Sequence, residues 1–208
     1  MSEANAVDAA GTAGTLSMMS LVVSSLVVSG RVARSIARRD NVGMAGAEPH
    51  KTDTTAGLAP LAGRLDHLAE RLGVKSVLVM RSEPDSMVVA ATAGEATQHY
   101  TVGAAGKKAL TDATRVPLYC ERVVDSDGAV FVRDSREDST FAGNEDEVEF
   151  GLHNYLGLPI HDGSGKVVGT VCVLDDSARD YTDEQRSELA AFAGDVEDVV
   201  REDDTALG

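Results

Sequence analysis

Two short β-branched runs joined by a tight turn occur twice in this chain, and each pair abuts an amphipathic helix. Val74 to Arg81 (VKSVLVMR) and Met87 to Ala93 (MVVAATA) flank Ser82 to Asp85 (SEPD). Tyr155 to Ile160 and Val167 to Leu174 flank the Gly-rich connection His161 to Lys166 (HDGSGK). Connections this short allow only antiparallel neighbours, because a parallel return needs a crossover of a dozen or more residues. Leu61, Leu65, Leu68 and Leu72, preceded by Leu58, place one leucine stripe on a helix before the first hairpin; Pro60 suits its first turn and Gly73 its end. After the second hairpin, Thr182 and Gln185 have capping-box spacing, and Leu189, Phe192, Ala193, Val196, Val199 and Val200 recur at helical spacing. The expected class is therefore α+β: a central antiparallel sheet of five to six strands flanked by helices.

Between the hairpins the pattern weakens. His99 to Val102 reads as a short strand and Ala104 to Ala113 as a helix. Val116 to Val124, led in by Pro117, reads as a second helix, Asp125 to Gly128 as a turn and Ala129 to Arg133 as a strand. Asp134 sits where a carboxylate accepts backbone N–H bonds from the loop it opens, and Phe141 reads as a plug closing that loop. Gly157 and Gly169 lie in adjacent strands and mark close approach by a packed side chain or a ligand. Pro159 marks a strand position with no N–H to pair, at an edge or bulge.

Residues 1–55 differ from the rest and are assigned as an N-terminal extension, with a domain over 56–204. Ala9 to Gly30 contains no charged residue and is followed by Arg31, Arg34, Arg38 and Arg39. Its acidic start and lack of a small-residue cleavage site exclude a signal peptide. Three readings stand: an amphipathic helix over 9–39 docking on a partner or the membrane surface, a membrane anchor over 9–30 that leaves the domain in the cytoplasm, or a segment without fixed structure. Asn41 to Thr55 reads as a linker.

The chain carries a net charge of −15, and all of it falls on residues 51–208, which hold thirty acids against fifteen bases. That balance excludes nucleic acid as a direct partner and reads as a solvated, self-repelling surface. Cys120 and Cys172 are too few for a disulfide scaffold and lack metal-ligand spacing, so a reduced, cytoplasmic chain is expected. His153 and His161 are roughly 26 Å apart if both lie on one strand, too far to share a metal. No metal site and no cofactor is expected.

Several pieces occur in a recognisable order: Tyr119-Cys120-Glu121 opening a helix, then Phe131-Val132-Arg133-Asp134-Ser135-Arg136 leading to Phe141-Ala142-Gly143-Asn144. Gly151 to Ile160 (GLHNYLGLPI), Gly163 and Val168 to Asp175 (VGTVCVLD) follow. Together they resemble the GAF domain family, GAF/PAS-like in fold, and the resemblance extends more weakly over 59–202. It implies a sensory module with a pocket beneath the middle loops. Tyr100, Asp134, Phe141, His153, Tyr155 and Cys172 are the pocket candidates. The expected function is small-molecule sensing or regulation by a signalling protein with no output domain of its own. The expected partners are a small-molecule ligand of unknown identity, a second copy of the chain in a homodimer, and a signalling protein. The alternative is an interaction or dimerisation module whose pocket is filled by Tyr100, Phe141 and Tyr155.

Special versions of the family are disfavoured residue by residue. Cyclic-nucleotide-binding members carry Asn-Lys after the last strand and an aromatic followed four and five residues later by Asp-Glu. This chain has Asp175-Asp176 there, and Tyr181 with Gln185-Arg186. Bilin-binding members need a suitably placed Cys, often followed by His; Cys120 precedes Glu121 and Cys172 precedes Val173. A haem ligand is disfavoured because His153 occupies a position where the family commonly has Arg. The free methionine-(R)-sulfoxide reductases work through a Cys in the loop before the penultimate strand, and Phe141 to Tyr155 contains none. An enzyme is therefore not expected.

Overall fold

The structure is a computed structural model, and it describes residues 52–208. The apolar 9–30 segment and its basic flank lie outside the described residues, and with them the docking-helix and membrane-anchor expectations. Among the described residues no helix is long and apolar enough to cross a membrane.

In chain order the elements are β1 (Asp53–Thr54), α1 (Ala62–Leu72), β2 (Ser76–Ser82), β3 (Ser86–Ala93), β4 (Ala105–Lys107), α2 (Tyr119–Ser126), β5 (Val130–Val132), α3 (Glu145–Phe150), β6 (Asn154–His161), β7 (Val167–Asp175) and α4 (Asp183–Glu202). The sheet is wholly antiparallel, in the order β1-β3-β2-β7-β6-β5, with β4 also pairing β3. The two hairpins thus lie side by side, joined by β2 and β7 in a register that runs from Ser76 opposite Leu174 to Arg81 opposite Gly169. The seven strands exceed the expected five to six because β1 and β4 are too short to carry a readable alternation. β1 occupies the last residues of the stretch read as a linker.

Alternation along the central strands sends side chains to two separate cores. Val77, Val79, Val171 and Val173 point towards α1 and α4, where they meet Leu65, Leu68, Leu72, Leu189, Phe192 and Val196. The leucine and valine stripes of α1 and α4 are thus buried on their own sheet, so a homodimer would have to pair through another surface. The intervening residues Leu78, Met80, Cys172 and Leu174 face the other way, under α2 and the middle loops. Chain ends close the first core: Thr55 Oγ1 donates to Ala206 O at 2.7 Å, and Leu207 is buried.

The middle departs most from expectation. Residues 96–100 form turns in place of a strand, with His99 N donating to Ala96 O. The helix expected at Ala104 to Ala113 is absent; β4 and turns take its place. The buried Glu121 carboxylate accepts the N–H groups of Ala109 and Leu110, and Lys108 Nζ reaches Ser82 Oγ and Glu83 O. These tertiary bonds take up backbone and side-chain groups that a local helix would have used differently. Conversely, α3 forms in a stretch expected to be a loop, capped by Asn144, whose side chain accepts from Asp146 N.

Gly169 and Gly157 both prove to be sites of close approach. A Cβ on Gly169 would lie 2.2 Å from Met80 O of the neighbouring strand, and one on Gly157 would strike the Tyr155 ring. Pro159 pairs with Thr170 of β7 on one side, while β5 ends before reaching it on the other, so its missing N–H leaves no gap. Substituting Gly169→Ala is expected to lower the unfolding free energy by about 1–3 kcal/mol through overpacking. Gly163→Ala, where a Cβ meets nothing within 4 Å, is expected to change it by less than about 0.5 kcal/mol. Urea titrations of the two variants measure both values.

Candidate functional site

The second face of the sheet is incompletely filled and leaves a cavity of about 220 Å³. Leu78, Met80, Met87, Val89 and Leu174 form its floor, and Leu118 and Cys120 at the start of α2 form one wall. The roof comes from the loop after β3, through His99, Tyr100 and Ala104 to Gly106, and from α3, through Glu145, Asp146 and Phe150. A rigid sheet therefore supplies the apolar base, while the parts with least secondary structure supply the cover.

A few bonds hold that cover. Tyr100 Oη donates to Asp146 Oδ1 at 2.6 Å, tying loop to helix. Phe150 stacks on His99 at 4.7 Å and meets Tyr100 edge-on at 5.5 Å. Asn144, fully buried, caps α3 and donates from Nδ2 to Pro117 O at 2.6 Å, joining α3 to the entry of α2. Glu121 Oε2 also accepts from Leu118 N, so one carboxylate fixes both the start of α2 and the loop beside it.

The charge at the mouth has one sign. Glu145 and Asp146 line the cavity, and among the described residues no Lys or Arg does. Burial pushes the Asp146 carboxyl up to about 6, against the lowering effect of the Tyr100 hydrogen bond, and the Glu145 and Glu149 carboxylates raise it further. The cavity thus suits a compact apolar body ending in a hydrogen-bond donor or a positive charge, and opposes an anion. Its volume equals the share of roughly seven waters, which suits a ligand of about ten non-hydrogen atoms or fewer.

Of the six residues expected at the pocket, Tyr100 lines it. Cys172 lies one layer behind, with its sulfur 3.6 Å from that of Cys120. Tyr155 and Phe141 instead pack against Tyr119, with ring centroids 4.7 and 5.0 Å away, and fill the neighbouring part of the same core. Asp134 accepts from Arg136 N at 3.1 Å and binds its guanidinium through both oxygens, which holds the carboxyl down at about 2. It fixes the loop that it opens. His153 accepts a bond from Ser135 N through its carbonyl and donates its own N–H to Asp175 O, while Nδ1 lies 3.0 Å from Gly151 O. Its position is architectural.

Sequence reasoning missed Met80, Met87, Leu118, Glu145, Asp146 and Phe150. One signal was available: Asn144 followed by Glu145, Asp146 and Glu147 is an N-cap with an acidic first turn. Among the described residues no three His, Cys, Asp or Glu side chains converge to hold a metal ion.

An antiparallel sheet with two helices on one face and a roofed cavity on the other defines a small α+β domain. The family model for the GAF domain matches residues 61–199, and the chain belongs to that family. No curated protein matches the chain. Among solved structures, the GAF domain of a phosphoenolpyruvate-protein phosphotransferase from Acinetobacter aligns with a TM-score of 0.54 at 14% identity, over 72% of this chain and 84% of that one. Free methionine-R-sulfoxide reductase from Neisseria meningitidis, in complex with its substrate, aligns at 0.52 and 16%, over 72% and 83%. The red-light-absorbing state of a red/green cyanobacteriochrome aligns at 0.55 and 14%, over 71% and 96%. At these identities the likeness is one of fold.

The raised Asp146 carboxyl has a consequence for stability. Its folded value of about 6 exceeds the ordinary 3.8, so the folded state binds the proton more tightly and this group's contribution falls as pH rises from about 4 to 6. Asp146→Asn, which keeps an oxygen for the Tyr100 hydroxyl, is expected to stabilise the protein by about 1 kcal/mol at pH 7 and by less at pH 4.5. Chemical denaturation at the two pH values measures the difference, and an equal gain at both would contradict burial as the cause.

Proposed function

We propose that this GAF domain is a small-molecule sensor whose ligand occupies the cavity between β2, β3, β7 and the roof formed by residues 99–106 and α3. The observation that carries the reading is the open cavity of about 220 Å³ with an apolar floor and convergent polar groups at its mouth. Met80 and Met87 give the floor an adaptable surface. The lining favours an uncharged or cationic ligand over a cyclic nucleotide or other anion, in agreement with the missing Asn-Lys and Asp-Glu motifs.

Signalling in this reading runs through the roof. A ligand that competes for the Tyr100–Asp146 bond shifts α3, and through Asn144 and Pro117 it shifts the entry of α2. A partner protein or a second copy of the chain would read that movement. Pairing of two copies, which belongs to the same proposal, has to use a surface other than the α1 and α4 stripes.

The interaction-module reading draws support from the Phe141–Tyr119–Tyr155 stack, which fills the space beside the cavity with the protein's own rings. Native mass spectrometry of protein purified without denaturation separates the two readings and reports oligomeric state at the same time. The sensor reading predicts an added small mass that is lost on unfolding. In the Ala104→Trp variant, which places a large ring at the cavity mouth, that mass is expected to disappear while stability changes by less than about 0.5 kcal/mol. Consistent absence of any retained or added small molecule, across a screen of small amines and alcohols by thermal shift, would favour the interaction module. An enzymatic reading is tested by assaying reduction of free methionine sulfoxide, for which no turnover is expected in the wild type or in Cys120→Ser.

A further inference from the structure

Cys120 and Cys172 come from elements 52 residues apart, yet their sulfur atoms lie 3.6 Å from each other. Both thiols are free. Their surroundings are unequal. Cys172, on the central strand β7, is 0% exposed, whereas Cys120 is 8% exposed and forms part of the cavity wall. A small solute entering the cavity therefore reaches the Cys120 sulfur first and finds the second sulfur directly behind it. The Tyr155 hydroxyl lies 3.4 Å from the Cys120 sulfur and donates to it, which helps orient the thiol.

We propose that Cys120 and Cys172 form an oxidisable thiol pair, converted to a buried disulfide by a hydroperoxide that enters through the cavity. Sulfurs 3.6 Å apart are already in contact and must close to about 2.05 Å for the bond to form. In the first step the Cys120 sulfur attacks the distal peroxide oxygen. The O–O bond breaks, the thiol proton leaves with the departing oxygen as water or alcohol, and Cys120 becomes a sulfenic acid. In the second step the Cys172 sulfur attacks the Cys120 sulfur and the S–O bond breaks. A disulfide forms, and the released hydroxide takes the Cys172 proton as water. The two thiols lose two electrons and two protons, and the hydroperoxide is reduced by the same two electrons.

The environment favours this order. Hydrogen bonds from Cys172 and Tyr155 hold the Cys120 thiol below its ordinary value despite burial, whereas burial pushes Cys172 up. Because Cys120 forms the cavity wall and Cys172 lies behind it, Cys120 has the nucleophilic role and Cys172 the resolving one. The new bond would pin the first turn of α2 to the centre of the sheet and remove a thiol from the cavity wall. The inference does not depend on the ligand proposed above.

The test uses the full chain, reduced, desalted and exposed to hydrogen peroxide, then alkylated and analysed by intact mass and peptide mapping. The expected result is loss of both alkylatable thiols together, a mass decrease of two hydrogens, and a Cys120–Cys172 linked peptide. The link should be reversed by dithiothreitol, and its rate should be independent of protein concentration. Thiols that stay alkylatable, sulfinic acid on Cys120 without a link, or links between chains would each overturn the proposal. These outcomes are read on the wild type and need no variant to fold. With folded variants, Cys172→Ser should accumulate a dimedone-reactive sulfenic acid at Cys120, and Cys120→Ser should slow oxidation of Cys172 by about tenfold or more. Equal oxidation rates of Cys172 in wild type and Cys120→Ser would overturn the assigned order.

Discussion

The pairing of β2 with β7 is the constraint on which the other parts depend. These strands belong to hairpins that are remote in sequence, and neither hairpin can bury two faces alone. Once joined, their alternation divides the interior into one core under α1 and α4 and another under the roof. A slip of β2 by one residue would exchange Val77 and Val79 with Leu78 and Met80 between the two faces, placing a strip of the wrong size and shape on each. The register is held at one end by Gly169, whose missing Cβ lets Met80 O come close. The cavity floor and the cysteine pair are both products of that register, since Cys172 and Leu174 face the roof only in this alignment.

Elements whose pattern is set by local repetition were legible in the sequence. The stripe of α1, the Thr182–Gln185 cap and stripe of α4, and both hairpins announce themselves by period and turn chemistry, and the structure has them. Elements whose form is set by distant partners were not. Ala104 to Ala113 has helix-compatible residues, but Glu121 and Lys108 bind it to other segments, and local propensity is a weak force beside four buried or part-buried hydrogen bonds. The site divides in the same way. Tyr100 was legible through the family resemblance, although its stretch reads as a strand and forms turns. Asp134 and His153 are motif residues whose visible contacts build loops, because a carboxylate beside Arg136 and a peptide between Ser135 and Asp175 fix chain direction. The cavity floor was unreadable because Met80 and Met87 belong to strands that look uniformly apolar until their partners define two faces.

Charge adds a second selection on top of shape. The acidic excess lies wholly on residues 51–208, and much of it is solvated or joined to single arginines at the surface, where each pair contributes little. At the cavity the same excess has a sharper effect. With Glu145 and Asp146 at the mouth and no lysine or arginine among the described residues of the lining, an anionic ligand would lose hydration and gain no counter-charge. The acidic composition that opposes nucleic acid at the level of the whole chain opposes phosphate-bearing small molecules at the level of the cavity, for the same Coulombic reason acting at shorter range.

The division of the cavity into a fixed floor and a loop-built roof also decides where a signal can originate. A ligand shifts a conformational equilibrium only by the difference in its affinity for the two states. The floor strands are paired on both sides and buried on both faces, so they offer no second arrangement at low cost. The roof is different. Its position rests on the Tyr100–Asp146 bond, which ties the loop to α3, and on the Asn144–Pro117 bond and the three bonds to Glu121, which converge on the entry to α2. The Asp146 carboxyl in the first of these, pushed up to about 6, is half protonated near that pH, where exchange of partners costs less than it would for a fully ionised group. In the sensor reading proposed above, movement of the roof would reach α2, whose first turn also carries Cys120. Small-molecule binding and thiol oxidation, though chemically unrelated, would act on the same short helix.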